Sequence, residues 1–262
     1  MSVVFAVANQ KGGVGKTTTA VSLGAAFAAR GLRVLLVDAD PQSNATAALG
    51  QRPGERGGIY ESLVDERPLR DCVTATGTPG LWLIPATTDL AGAEVELVSV
   101  MAREFRLKRV LEPLRDEYDF VIIDCPPSLG LLTVNALAAA DEVIIPVQSE
   151  YLALEGLSHL SRTIELARRN LNPQLRVRGI LLTMFDARTN LARQVEEEVR
   201  RHFDNTFTAV IPRTVRLSEA PSHGEPIQSY DPLSAGAVAY DAFADELLRQ
   251  LQTPVRGGPH GT

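Results

Sequence analysis

Between Gln10 and Thr18 the chain reads Q-K-G-G-V-G-K-T-T, two lysines and two threonines set among glycines. A glycine-rich turn between a buried strand and a helix points backbone N–H groups into one concavity. The helix dipole adds positive potential there, so the feature suits a phosphate. Gly12, Gly13 and Gly15 allow the close approach that side chains would block. Lys16 brings a cation to the β- and γ-phosphates of a nucleotide, and Thr17 a hydroxyl to Mg²⁺. The spacing departs from the plain G-x-x-x-x-G-K-[ST] form, since Gln10 stands at the first glycine position and Lys11 precedes the glycine pair. Lys16 already serves the nucleotide of its own chain. Lys11 can therefore reach the phosphates of a nucleotide in a facing subunit and neutralise transition-state charge as an arginine finger does. On spacing alone, a solvated lysine beside an anion site fits too.

Two further strings bring carboxylates. V-D-A-D-P-Q-S-N-A-T places Asp38 and Asp40 at the C-terminal edge of a strand, where open α/β sheets bind ligands. Residues two apart share a face if the strand continues. One carboxylate then holds a water of the Mg²⁺ shell and the other orients the attacking water; Asp40 also suits a turn before Pro41. F-V-I-I-D, ending at Asp124, is an apolar strand closing on a carboxylate that supports Mg²⁺ through water. Pro126 and Pro127 follow as a stiff turn able to sense the γ-phosphate, and Cys125 reads as a small buried residue.

The positioning elements are legible as apolar runs. Val3–Ala8, Arg33–Val37, Leu81–Pro85, Phe120–Ile123, Glu142–Val147, Val177–Thr183 and Ala209–Ile211 predict strands. Helical spacing is expected over Lys16–Arg30, with Gly31 as stop signal, and over Ala102–Asp116, Leu131–Ala140, Leu154–Asn170, Asn190–Phe203 and Ala235–Leu251. This alternation implies an α/β fold: a doubly wound, mostly parallel sheet with helices on both faces. Residues 51–58 and 74–80 read as turn-rich surface loops. With no internal repeat or linker, residues 1–252 are expected to form a single domain and residues 253–262 a disordered tail.

Composition sets limits. The 262 residues carry a net charge of −6, which excludes a chain that coats nucleic acid with its whole surface but allows a local basic patch. Two cysteines, Cys72 and Cys125, make no disulfide scaffold,. With no signal peptide and no apolar run of the ~18 residues that span a bilayer, a cytoplasmic location is expected.

Together the strings A-N-Q-K-G-G-V-G-K-T-T-T-A, L-L-V-D-A-D-P-Q-S-N-A-T, D-F-V-I-I-D-C-P-P-S-L-G, P-V-Q-S-E-Y-L-A-L-E-G and I-P-R-T-V-R-L-S-E-A-P-S-H-G resemble the deviant Walker A ATPases of the ParA/MinD family, in particular its ParA/Soj-type chromosome-partitioning members. They run from residue 8 to residue 224, nearly the whole chain. The resemblance implies a P-loop NTPase that binds ATP and Mg²⁺ through Lys11, Gly12, Gly13, Val14, Gly15, Lys16, Thr17 and Thr18, with Pro212 and Thr214 near the adenine. Thr214 stands where relatives often have Asn, and Ser43 where many have Gly. Lys11 matches the signature lysine that crosses the dimer interface, and Asp40 the residue needed for hydrolysis, alongside Lys16. Thr17 is the metal residue, with Asp38 and Asp124 acting through water. The resemblance further implies an ATP-dependent homodimer on non-specific double-stranded DNA, nucleoid-associated, whose hydrolysis a ParB-type centromere-binding protein stimulates. Arg188 and Arg216 match the DNA-contact positions, and Arg193 and Arg213 are weaker ones; by pattern alone all four are ordinary surface charges.

Three related readings fit less well. A membrane-binding relative ends in a basic amphipathic helix, whereas Y-D-A-F-A-D-E-L-L-R-Q-L-Q is acidic to neutral. A cluster-carrying reductase shares its cluster between cysteines of two subunits, whereas Cys72 lies far from the nucleotide strings and no C-x-x-C occurs. An amide-forming synthetase matches D-P-Q-S-N-A-T and P-S-H-G less closely. No DNA-binding segment precedes the first strand, so sequence-specific autoregulation is not expected.

Overall fold

A computed structural model of the chain describes residues 1–52, 57–150 and 153–252. Its centre is one eight-stranded sheet: β1 (Val3–Val7), β2 (Val34–Asp38), β3 (Thr74–Ala75), β4 (Leu81–Ile84), β5 (Phe120–Asp124), β6 (Glu142–Gln148), β7 (Arg176–Phe185) and β8 (Thr206–Pro212), in spatial order β3-β4-β2-β5-β1-β6-β7-β8. Every pairing is parallel except β3 with β4. The doubly wound expectation is met.

The apolar runs are explained by burial on both faces, which removes the usual alternation of apolar and polar residues. Along β1, Val4 and Ala6 join one core while Phe5 and Val7 join the other; β5 splits likewise into Val121 and Ile123 against Phe120 and Ile122. On the second face lie α1 (Lys16–Ala29), α2 (Asn44–Ala48), α10 (Ile227–Tyr230) and α11 (Ala235–Gln252). The first face carries α3 (Ile59–Val64), α4 (Leu90–Glu96), α5 (Arg106–Leu111), α6 (Leu131–Ala139), α7 (Ala153–Asn170) and α8 (Asn190–His202). A five-residue helix, α9 (Val215–Glu219), follows β8.

α1 matters most for the site, because its N-terminus ends the glycine loop. It is apolar nearly all round, as a helix held between a sheet and a second helix must be. Lys16, Thr19 and Ser22 are its buried polar residues; the Thr19 hydroxyl lies 3.1 Å from that of Tyr240 in α11, which satisfies both groups. Arg30 is the C-cap of α1 and Gly31 follows with φ of 78°, the left-handed exit that glycine permits.

Three expectations need correction. Ala102–Asp116 is not one helix. Ala102 has φ of 55°, which no right-handed helix accommodates, and only α5 lies between 3₁₀ turns at Arg103–Phe105 and Glu112–Leu114. Pro113, within the second turn, removes a backbone donor. The 74–80 loop contributes β3. The last strand reaches from Thr206 to Pro212, well beyond Ala209–Ile211. Residues 53–56 of the 51–58 loop and the tail 253–262 lie outside the described residues.

Candidate nucleotide-binding site

β1 lies between β5 and β6. The chain leaving β1 runs towards β2 on one side, whereas β6 leads to β7 on the other. The loops diverge at this point and open a crevice at the C-terminal strand edges, which the residues from Ala8 to Gly15 fill. Gly13 and Gly15 have φ of 73° and 83°, values that disfavour any side chain. Gly15 is also the N-cap of α1 and offers no side-chain cap, so the first N–H groups of the helix stay available to an anion.

A cavity of about 430 Å³ opens on this loop. Gly12, Gly13, Gly15, Lys16, Thr17 and Thr18 form its floor, with Asp40, Gln42, Asn44 and Pro127 beside them. Val14 is buried outside the lining, and its carbonyl accepts a hydrogen bond from Thr183 Oγ1 at 2.9 Å. Lys16 is 6% exposed and donates from Nζ to the Lys11 carbonyl at 3.0 Å. Burial lowers its pKa, while Asp124, Cys125 and Asp40 oppose the shift.

The three carboxylates differ in what they hold. Asp38 and Asp124 face each other in the β2–β5 register and are fully buried. Asp38 Oδ2 accepts from Thr46 N at 2.8 Å and Thr46 Oγ1 at 2.7 Å, and its Oδ1 accepts from Asp40 N at 3.2 Å. Both oxygens of Asp124 lack a hydrogen-bond partner among the described residues; Thr17 favours its charged form from close by without completing that geometry. Asp40 Oδ1 takes the Gln42 N–H at 3.0 Å.

An orphaned buried carboxylate beside Thr17 and Lys16 fits Mg²⁺. That ion keeps several waters and combines one or two carboxylates with substrate phosphates rather than using an all-protein cage. No group of three or more His, Cys, Asp or Glu able to hold a metal occurs among the described residues. Asp38, with both oxygens engaged, is the less available of the two water-mediated candidates.

Burial also makes these carboxylates a pH-dependent liability. Burial is the first cause that holds Asp38 at about 6, above its ordinary 3.8, against the Thr46 hydrogen bonds. Asp124 is raised well above 3.8 by burial and then by Asp38. Both therefore bind protons more tightly folded than unfolded. For Asp38 the associated stability falls as pH rises from 3.8 to about 6 and is lost above that window,. Asp124→Asn, assayed without nucleotide and with EDTA, should unfold at a higher temperature than the parent at pH 8. The margin should narrow towards pH 5. A variant less stable than the parent throughout would show that the Asp124 charge is not a burden.

Beyond the phosphate end the cavity wall is apolar: Val21, Ala47, Ala48, Met184, Leu217, Ala220, Pro221, Pro226 and Ile227, with Ser22 and Glu225 as polar members. Pro212 and Thr214 are not among the lining residues. Pro212 pairs with Phe185 at the end of the sheet, and the Thr214 hydroxyl caps α9 by accepting from Leu217 N at 3.3 Å. The sequence missed Met184, Leu217 and the 220–227 turn; the signal available for the turn was the P-S-H-G-E-P-I run, whose two prolines and glycine mark a tight turn,.

Lys11 faces away from this cavity. It lines a second, shallower one with Gln10, Pro127, Ser128, Leu129, Gly156 and His159. Its Nζ lies 3.0 Å from Glu150 Oε2, with the two side chains 43% and 49% exposed. Arg188 makes a bidentate pair with Asp186 at 2.9 and 2.8 Å. Arg216 lies between Glu219 at 3.0 Å and Asp231 at 3.3 Å. Of the weaker arginines, Arg193 donates to the Ala187 carbonyl, and Arg213 N to the Phe185 carbonyl. Both cysteines are buried, with Cys72 Sγ 3.6 Å from Ser62 Oγ.

The family model described as an AAA domain matches residues 2–177. The chain is 57% identical to the sporulation initiation inhibitor protein Soj of Bacillus subtilis, over 94% of this chain and 98% of that one. It is 55% identical to the chromosome partitioning protein ParA of Myxococcus xanthus, over 94% and 88%. Among solved structures, one described as cobyrinic acid a,c-diamide synthase from Mycobacterium smegmatis, with bound ADP and magnesium, superposes with a TM-score of 0.86 at 42% identity, covering all of both chains.

Proposed function

Since the chain belongs to the ParA/Soj branch of the ParA/MinD partitioning ATPases, we propose that it is an ATP-driven dimerisation switch acting in chromosome or plasmid segregation. ATP with Mg²⁺ binds the 430 Å³ cavity. The loaded chain dimerises, binds double-stranded DNA without sequence preference, and is reset to monomer by hydrolysis that a ParB-type protein stimulates. Its place is the nucleoid, in the cytoplasm. No described helix is long and apolar enough to cross a membrane.

The position of Lys11 carries this reading. A lysine serving its own nucleotide belongs in the phosphate cavity, and Lys16 occupies that role. Lys11 instead sits at the rim, held by an exposed pair with Glu150. Such pairs contribute about 0–1 kcal/mol, so a facing phosphate displaces Glu150 at little cost. The test is hydrolysis and light scattering with Mg-ATP, with and without duplex DNA and a ParB-type protein. Joint stimulation, with an ATP-dependent doubling of mass, supports the switch; a constant monomer overturns it.

DNA contact is assigned to Arg188 and Arg216. Both are engaged with carboxylates across solvent-exposed surface, and phosphate can replace those partners. Arg216→Ala should weaken duplex binding by roughly tenfold and reduce the salt slope by about 1. ATP affinity should not change. Unaltered DNA binding at fixed salt would remove Arg216 from the interface.

The named activity of the solved neighbour favours one second reading, an amide-forming synthetase on the same fold. Turnover that depends on a carboxylic-acid acceptor and ignores DNA would support it.

A further inference from the structure

The geometry points to Asn9 as the positioning residue for Lys11. This inference rests on the reading of Lys11 as the lysine that acts on a facing nucleotide. Asn9 is 7% exposed and lies between the end of β1 and the glycine loop. Its Nδ2 donates to the Pro146 carbonyl of β6 at 2.8 Å, and its Oδ1 accepts from Lys11 N at 3.0 Å. The partners fix which amide atom is which, since a carbonyl only accepts and a backbone N–H only donates. Asparagine is the residue of this length that supplies one of each.

The side chain of Lys11 is referred to the same strand end. Glu150, its ion-pair partner, lies two residues beyond the end of β6, and Gln148 Nε2 donates to the other Glu150 oxygen at 2.6 Å. The Lys11 carbonyl in turn accepts the Lys16 ammonium at 3.0 Å. The backbone at position 11 is thus clamped from β6 through a single buried amide. Without that clamp the loop can still wrap phosphate through Gly12 to Thr17, but Lys11 is no longer held at one place on the rim. Asn9 therefore acts on hydrolysis through Lys11, and not on nucleotide capture.

The experiment is a double-mutant cycle of Asn9→Ala and Lys11→Ala, read as hydrolysis with Mg-ATP and linear duplex DNA. Thermal melting checks that each variant is folded. Asn9→Ala should lower kcat by at least about tenfold with KM for ATP within about twofold. In the Lys11→Ala background it should produce no further loss. Asn9→Ser, which keeps an acceptor for Lys11 N but loses the tie to Pro146, should fall between parent and Asn9→Ala, and it serves as the test variant if Asn9→Ala does not fold. Additive losses in the double variant, or a rise in KM without a fall in kcat, would overturn the assignment. Unchanged kcat in Lys11→Ala alone would overturn the facing-lysine reading beneath it.

Discussion

Lys16→Ala should bind Mg-ATP at least about 150-fold more weakly than the parent, which is the loss of roughly 3 kcal/mol expected when one member of a buried charge pair is removed. The case rests on where the ammonium sits. Lys16 is the first residue of α1, almost without solvent contact, and it lines the cavity beside the glycine loop. Burial disfavours its charge while Asp124 and Asp40 support it. A nucleotide phosphate brings the counter-charge that the site otherwise draws from carboxylates. Alanine removes the cation and leaves a phosphate facing Asp40 and Asp124 without neutralisation. The fold should survive, because the exchange deletes a desolvated charge and, among the described residues, Lys16 makes one side-chain hydrogen bond, to the Lys11 carbonyl. Equilibrium titration with ATP measures the effect, and melting without ligand supplies the control. ATP affinity within threefold of the parent, in a folded variant, would show that Lys16 does not hold the phosphates.

The parts of this site that the sequence disclosed are those whose chemistry is local. Gly13 and Gly15 declare their positive φ by being glycine, and Asp124 declares its place by ending an apolar strand. β1, β2, β4, β5, β6 and β7 were legible because their buried stretches read as apolar runs, whereas β8, an edge strand with Thr208 exposed, showed only its Ala209–Ile211 stretch. What escaped is set by tertiary placement. β3, only two residues long, exists because β4 offers it an edge. α2, α9 and α10 are too short for a helical period to register. The apolar wall is assembled from residues such as Val21, Ala47, Met184 and Ile227, which stand far apart in sequence and share the cavity. Asp38 and Asp40 read as equivalent in the string V-D-A-D; they differ because Thr46, eight residues beyond Asp38, is placed to occupy Asp38 with two hydrogen bonds.

That difference makes Asp40 the carboxylate to test for hydrolysis. Asp38 has both oxygens engaged within the protein, and Asp124 is fully buried at the end of the central strand. Asp40 lines the cavity with one oxygen held by Gln42 N and the other without a partner among the described residues. A carboxylate anchored on one side and open on the other is suited to orient a water against the terminal phosphate. Loss of a positioned acceptor of this kind lowers rates by about 10²–10⁴. Asp40→Ala should therefore reduce ATP hydrolysis at least about 100-fold, while ATP affinity stays within a few-fold because Lys16 and the loop N–H groups are untouched. If hydrolysis is what separates the subunits, the variant should remain a dimer after ATP addition. Light scattering would then report a persistent mass near twice the monomer's 28.3 kDa, and DNA binding should outlast that of the parent. Asp40→Asn separates the roles further: it preserves the acceptor for Gln42 N but weakens the pull on water, so it should hydrolyse nearly as poorly and dimerise as stably. A variant that binds ATP, hydrolyses it at the parental rate and returns to monomer would remove Asp40 from the chemistry, leaving it a turn residue before Pro41.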